Sequence, residues 1–168
     1  MALEVERKFM PAGSVDFVIE AGGLKVLSEQ RIEQTYLAID SKQELRIRKI
    51  TDRESGEVTY THTFKKGNGL VREEIEYEIS ESIYQQVADA FGAIPLTKDR
   101  ITAQWGERTV EIDRYDQIEL TVLEVEFESE AEAVAFDVPE WFGPDVSSER
   151  KYSNKTVWMK LQQGDKPV

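Results

Sequence analysis

Over most of the chain, hydrophobic and polar positions alternate with a period of two, as in Leu45-Arg46-Ile47-Arg48 and Glu74-Ile75-Glu76-Tyr77-Glu78. Successive strand residues point to opposite faces, so residues of one parity share a face about 7 Å apart. On this basis eight stretches read as strands: 2–10, 28–39, 43–51, 57–66, 70–79, 97–105, 108–115 and 118–127. Short turn signals at Asp40-Ser41, Ser55-Gly56, Gly67-Asn68-Gly69, Trp105-Gly106 and Asp116 predict antiparallel hairpins between them. Four stretches change to helical spacing. Ser14 heads a segment ending at Gly22-Gly23, and Ser80 precedes Ile83, Val87, Ala90 and Phe91 before Gly92. Ser129 and Glu132 form a capping box in an element closed by Pro139, and 154–163 carries Val157 and Leu161 on one face. No repeat, linker or low-complexity segment divides the chain, so one α+β domain over 1–168 is expected, built on an antiparallel sheet or barrel.

The polar half of the alternation is charged, and the charges are sorted by strand. Arg46 and Arg48 share a face, as do Lys98 and Arg100; Glu74, Glu76 and Glu78 share another, as do Glu124 and Glu126. Glu4, Glu6 and Lys8 lie together, Lys65 lies with Thr61 and Thr63, and Glu111 lies with Asp113. A solvated sheet face with cross-strand ion pairs would alternate in the same way. It has no need of paired arginines on one strand and paired glutamates on another. The helices must also bury their apolar stripes, and the aliphatic parity of the strands is the available partner. If helices cover the outside of a closed sheet, its charged face lines the lumen. Lysines and arginines there suit polyphosphate oxygens, which arginine can bind bidentately. Clustered carboxylates opposite them repel one another unless a divalent cation sits between. That combination points to metal-assisted phosphoryl or nucleotidyl transfer.

Composition narrows the chemistry. There is no cysteine and a single histidine, His62, which excludes disulfides, thiolate catalysis and cysteine or multi-histidine zinc sites. Any metal must be held by oxygen, favouring Mg²⁺, Mn²⁺ or Ca²⁺. The net charge of −12 argues against a general nucleic-acid binder. No apolar run approaches the ~20 residues of a spanning helix, and the N-terminus lacks an apolar signal core, so a cytoplasmic protein with no membrane partner is expected.

The motifs resemble those of the CYTH, or triphosphate tunnel metalloenzyme, superfamily from about residue 3 to about 157. Glu4-Val5-Glu6-Arg7-Lys8 looks like its ExExK signature, and Gln34-Thr35-Tyr36-Leu37 and Leu45-Arg46-Ile47-Arg48 like its Q-x-Y-L and L-R-x-R strands. Thr63-Phe64-Lys65, Arg72-Glu73-Glu74-Ile75-Glu76 and Lys98-Asp99-Arg100 are similar to T-x-K, R-x-E-x-E and K-x-R. Glu111-Ile112-Asp113, Glu124-Val125-Glu126 and Lys151-Tyr152-Ser153-Asn154 follow in the family's order. The resemblance implies an eight-stranded antiparallel β tunnel with helices packed outside, acting on triphosphates. Carried over by position, the substrate ligands would be Lys8, Arg46, Arg48, Lys65, Arg72, Lys98, Arg100 and Lys151, with Tyr36 beside them. The metal carboxylates would be Glu4, Glu6, Glu74, Glu76, Asp113, Glu124 and Glu126, holding Mg²⁺ or Mn²⁺, two ions with substrate bound. Lys8, Glu6, Glu76 and Arg48 form the expected catalytic set. Arg7, Arg31 and Lys66 have the wrong parity or no motif match and read as surface charge, and His62, also of the wrong parity, reads as a packing or surface residue. One strand departs from the pattern: Ile118, Leu120 and Val122 share parity with Glu124 and Glu126, which a bulge or an exit from the tunnel mouth would explain.

The expected activity is hydrolysis of a triphosphate, foremost inorganic tripolyphosphate to pyrophosphate and phosphate, by metal-activated water. A class IV-type adenylyl cyclase would use the same walls and add a purine pocket, for which Tyr36, Tyr60, Phe64 and Trp105 are candidates. Thiamine triphosphatase, nucleoside triphosphatase, a non-catalytic polyphosphate or nucleotide binder and a fully structural β-domain are the other readings. A monomer or homodimer with a small-molecule partner is expected.

Overall fold

All eight expected strands form, and their pairing closes on itself. A computed structural model describes residues 2–164, so Met1 and 165–168, included in the expected domain, lie outside the described residues. The elements run β1 (Ala2–Pro11), α1 (Val15–Gly22), β2 (Lys25–Ile39), β3 (Gln43–Asp52), β4 (Val58–Lys66) and β5 (Val71–Glu78). After α2 (Glu81–Phe91) come β6 (Leu96–Trp105), β7 (Arg108–Tyr115), β8 (Leu120–Glu126), α3 (Glu130–Ala135), β9 (Phe142–Asp145), a 3₁₀ turn (Arg150–Tyr152) and α4 (Asn154–Gln162). The strand order is β5-β4-β3-β2-β6-β7-β8-β1, and β1 pairs back onto β5 to close an eight-stranded antiparallel barrel. No described helix is long and apolar enough to cross a membrane.

Each helix starts where a serine hydroxyl accepts a first-turn amide. Ser14, Ser80, Ser129 and Ser153 accept from Phe17, Ile83, Glu132 and Thr156 respectively. Ser-to-first-turn capping supplies a partner to an amide that the helix cannot satisfy itself. α1 and α3 pack on the aliphatic outer face, where Val18 and Ala133 join Val5, Phe9, Val110, Ile112, Leu123 and Val125. α2 covers β3 and β4, with Tyr84 against Tyr60.

α4 behaves differently. Its Val157 packs against Leu96, Tyr115, Leu120 and Val122, which share parity with the charged lumen residues of their strands. α4 therefore lies over the inner face at one end of the barrel. This explains the mixed character of β8 without a bulge: its register with β7 runs unbroken from Val125 to Leu120. Leu120 and Val122 sit beneath α4, and the charged lumen begins at Glu124.

β9 has no period-two signal in Phe142-Gly143-Pro144-Asp145 and was not anticipated. It continues the β1 edge where β5 runs out, pairing Phe9 with Asp145 and Pro11 with Phe142. Gly143 permits the approach: a Cβ there would lie 2.6 Å from the Met10 carbonyl oxygen and 2.9 Å from that of Pro11. Gly143→Ala must push two backbones apart, at a cost of about 1–3 kcal/mol. Thermal melting should show a Tm lowered by about 3–10 °C; an unchanged Tm would mean that β9 moves freely off β1.

Candidate active site

Alternation along each strand turns the charges inward, and closure sorts them into two arcs. Arg46 and Arg48 on β3, Lys65 on β4 and Lys98 and Arg100 on β6 occupy the contiguous strands β4-β3-β2-β6. Glu111 and Asp113 on β7, Glu124 and Glu126 on β8, Glu4 and Glu6 on β1 and Glu74 and Glu76 on β5 occupy the other half. Lys8 and Arg72 stand within the acidic arc, and Glu44 within the basic one. The arcs enclose a cavity of about 240 Å³.

Most lumen cations already have a carboxylate. Lys65 donates to Glu4 at 3.0 Å and lies 3.4 Å from Glu74. Lys98 and Arg100 converge on Asp113, each donating at 2.8 Å, and Arg100 reaches Glu111 at 2.9 Å. Arg72 lies 3.1 Å from Glu44, and Lys8 lies 3.5 Å from Glu124. Arg46 and Arg48 are the exceptions. Both are buried, and neither guanidinium forms an ion pair among the described residues. The Arg46 Nε has no hydrogen-bond partner, whereas the Arg48 Nε donates to Gln34. Burial, then repulsion from Arg46 and Arg100, pushes Arg48 down to about 10. Arg46 differs: burial pulls it down, but Tyr36, Glu44, Glu74 and Glu76 hold it above its ordinary value. Two buried guanidiniums facing one cavity suit an anion.

The opposite wall has the complementary problem. One oxygen from each of Glu6, Glu111 and Glu124 falls within 4.8 Å of the others. Burial above all, then Glu124 and Glu4, raises Glu6 well above the usual carboxylate range. Burial likewise pushes Glu111 up to about 7, against the pull of Arg100. Burial raises Glu124 too, but Lys8, Arg100 and Lys98 together outweigh it and hold the group at about 2. Glu4 is held at about 2 against its burial by the charge and hydrogen bond of Lys65 and a hydrogen bond with Glu74. Three converging hard oxygens, two of them reluctant to ionise, fit a divalent cation that would remove their repulsion.

Of the residues singled out by sequence, Glu4, Glu6, Lys8, Tyr36, Arg46, Arg48, Lys65, Arg72, Glu74, Glu76, Arg100, Glu124 and Glu126 line this cavity. Three do not. Lys98 and Asp113 are wholly buried behind it as an ion pair. Lys151 is exposed, with its Nζ over the ring of its neighbour Tyr152. The cavity also contains Glu44, Glu111, Ser153, Asn154 and Lys155, none of which was carried over as a site residue. Glu111, Ser153 and Asn154 lie within matched motifs, and parity places Glu44 on the face of Arg46. Lys155 has no local signal, because it enters only through the docking of α4. Arg7 faces outward, with Asp145 and the Ala133 carbonyl as its partners.

The proposed purine contacts are dispersed. Tyr36 is buried against Trp158, Tyr60 packs under α2, and Trp105 belongs to an outer aromatic cluster with Phe136, Trp141 and Phe142. Phe64 points outward, between the inward-facing Thr63 and Lys65.

Comparison with known proteins agrees with this architecture. A family model, the CYTH domain, matches residues 2–152. An inorganic triphosphatase of Nitrosomonas europaea is 30% identical over 162 residues, covering 94% of this chain and 98% of the relative. One of Acetivibrio thermocellus is 26% identical over 160 residues, covering 94% of each. A crystal structure of an inorganic triphosphatase superposes with a TM-score of 0.61 at 28% identity, covering 95% of this chain and 96% of the other.

Proposed function

The chain belongs to the CYTH domain family, and we propose that it is an inorganic triphosphatase that hydrolyses tripolyphosphate to pyrophosphate and phosphate. The observation that carries this reading is the buried Arg46–Arg48 pair, with no ion pair among the described residues, facing the Glu6–Glu111–Glu124 cluster across one cavity. The two curated relatives, both inorganic triphosphatases, support the same substrate.

In this reading Arg46 and Arg48 bind the phosphate oxygens, assisted by Lys8 and Arg72. Gln34 orients Arg48, since it accepts from that guanidinium and donates to Tyr36 at 3.2 Å. Lys98 and Asp113 act from behind the wall by fixing Arg100, which in turn holds Glu111. Glu6, Glu111 and Glu124 would hold a divalent cation, with Glu4, Glu74, Glu76 and Glu126 at the margin of the same acidic arc. A divalent cation held there, Mg²⁺ or Mn²⁺, would supply neutralisation of phosphate charge and a lowered pKa for water. The placement of these aromatics weakens the cyclase reading: Tyr36 lines the cavity but is buried against Trp158, and Tyr60, Phe64 and Trp105 are not among the lining residues.

The test is phosphate and cyclic AMP release from tripolyphosphate, ATP and thiamine triphosphate, with Mg²⁺, with Mn²⁺ and with chelator. Cation-dependent phosphate release favouring tripolyphosphate is expected; cyclic AMP would replace this reading with a cyclase, and tight binding without turnover with a binding protein. Glu6→Gln removes one charge from the metal cluster while keeping its shape. It should lower activity by about 10²-fold at limiting metal and regain part of that in excess Mn²⁺. If no cation concentration rescues it, Glu6 serves some purpose other than metal binding.

A further inference from the structure

Asn154, in the first turn of α4, lines the cavity with half of its side chain already committed to the barrel wall. Its Oδ1 accepts from the Tyr115 hydroxyl and, at 3.3 Å, from the Lys98 Nζ. Both donors are buried, Tyr115 being 3% exposed and Lys98 0%. Lys98 is itself fixed, since it donates to Asp113 at 2.8 Å and lies 5.6 Å from the centre of the Tyr115 ring. Val157 lies three residues further along α4, on the same helix face, and packs against Tyr115 with Leu96, Leu120 and Val122. The face that carries Asn154 is thus held against this wall.

These contacts decide which way the amide faces. An ammonium has only donors, so the atom against Lys98 must be the carbonyl oxygen; the flipped amide would set one donor against another. The two ends of a planar amide diverge from Cγ, so Nδ2 points away from Lys98 and Tyr115. It has no hydrogen-bond partner among the described residues, and it is not one of the buried atoms left unsatisfied. Nδ2 therefore opens on the cavity, where solvent or a ligand accepts from it.

Satisfying the wall does not explain the amide. Aspartate has the same shape, offers the same oxygen and would pair with Lys98 as a charge. What asparagine adds is an NH₂ group, and that is the half turned to the cavity. Two cations reach the same part of the chain. Lys8 donates to the Tyr152 carbonyl at 3.2 Å, and Lys155, next to Asn154, lies 3.8 Å from Glu44. A neutral donor between them offers an anion a further hydrogen bond without adding like charge to either lysine. Because the wall holds the amide in place, little rotamer freedom remains to be lost when an acceptor arrives.

We propose that Asn154 is a substrate-binding residue whose Nδ2 donates to a phosphate oxygen, and that Lys98 and Tyr115 are positioning residues that aim it. This rests on the triphosphatase reading and adds a contact to its site. Lys98 is buried behind the cavity, and it reaches the substrate through Asn154 as well as through Arg100. The docking of α4 on Tyr115 thereby becomes part of substrate binding rather than a cover for apolar surface alone.

The experiment compares kcat/KM for tripolyphosphate, and Tm, in the wild type, Asn154→Asp, Asn154→Ala, Tyr115→Phe and the double variant Tyr115→Phe/Asn154→Ala. Asn154→Asp keeps the acceptor for Lys98 and Tyr115 but turns an anionic oxygen towards the phosphates. It should lower kcat/KM by about 10²–10³-fold, with Tm within about 2 °C of the wild type or above it. Asn154→Ala should lower kcat/KM by about 10–10²-fold. Tyr115→Phe should lower it about three- to tenfold in the wild type and less than about twofold in the Asn154→Ala background, where no amide remains to be aimed. An Asn154→Asp enzyme within about threefold of the wild type overturns the contact. So does one that melts more than about 5 °C lower, which would make Asn154 a structural residue. Equal losses from Tyr115→Phe in both backgrounds overturn the positioning role. A wild type inert towards tripolyphosphate overturns the triphosphatase reading instead, and calorimetry with tripolyphosphate then decides Asn154. Binding weakened about tenfold or more by Asn154→Asp supports the contact; unaltered or absent binding overturns it.

Discussion

Arg48→Ala is expected to lower kcat/KM for tripolyphosphate by about 10²–10³-fold, the usual effect of deleting one preorganised donor to developing negative charge. The same substitution should leave the Tm of the substrate-free protein unchanged or slightly higher. Both results follow from one arrangement. Arg48 is buried, repelled by Arg46 and Arg100, and donates to the neutral Gln34. Removing its charge relieves a desolvated repulsion, and this offsets the packing lost with the side chain. A residue that stabilised the fold would act in the opposite sense. A loss of activity under about tenfold would remove Arg48 from the phosphate site. A Tm fall of more than about 5 °C would show that its charge is compensated in the resting protein.

The metal-free protein should be more stable near pH 5 than near pH 7. Glu111 moves from an ordinary value of 4.5 to about 7, chiefly through burial, and Glu6 is raised in the same way with Glu124 adding to it. Between the unfolded and folded values the folded state therefore holds more protons than the unfolded one, so stability falls as pH rises through this window. For Glu111 alone the fall from pH 5 to pH 7 is about 2 kcal/mol, equivalent to a Tm lower by roughly 4–8 °C. Glu4 and Glu124 are shifted down, to about 2, so their contribution is complete above about 4.5 and is lost only in stronger acid. Lys98, pushed down to about 7 by burial, changes stability above that value rather than below it. Mg²⁺ or Mn²⁺ should recover most of the difference at pH 7 and little at pH 5, where protons compete for the same oxygens. Melting curves of chelator-treated protein, with and without added cation, provide the measurement. A Tm that is flat or rising from pH 5 to pH 7 would mean that the three carboxylates do not crowd one another as the geometry requires.

Much of this was legible locally. Parity placed Arg46, Arg48, Lys65, Glu74, Glu76, Glu124 and Glu126 on the faces that line the cavity, because a strand's two-residue period depends on nothing beyond the strand. Serine followed by an apolar stripe marked Ser14, Ser80 and Ser129, because capping is settled within one helical turn. β9 was not legible. Four residues containing glycine and proline carry no strand pattern, and β9 exists only because β1 leaves an edge beyond β5.

The site divides along the same line. Sequence by itself determined which side chains share a face, and hence that acids and bases are segregated by strand. It could not determine which strands become neighbours, since pairing across the chain depends on closure and on nothing periodic. Closure of β1 onto β5 gathered the acidic strands into one arc and the basic strands into the other. It also decided which charges cancel. Asp113 and Lys98 look like site residues by motif, yet they pair with each other behind the wall, while Glu111 beside them joins the carboxylate cluster with Glu6 and Glu124. The docking of α4 brought in Asn154 and Lys155 and left Lys151 outside. Periodicity reports direction within an element; the partner that meets each charge is set by the packing of elements distant in sequence.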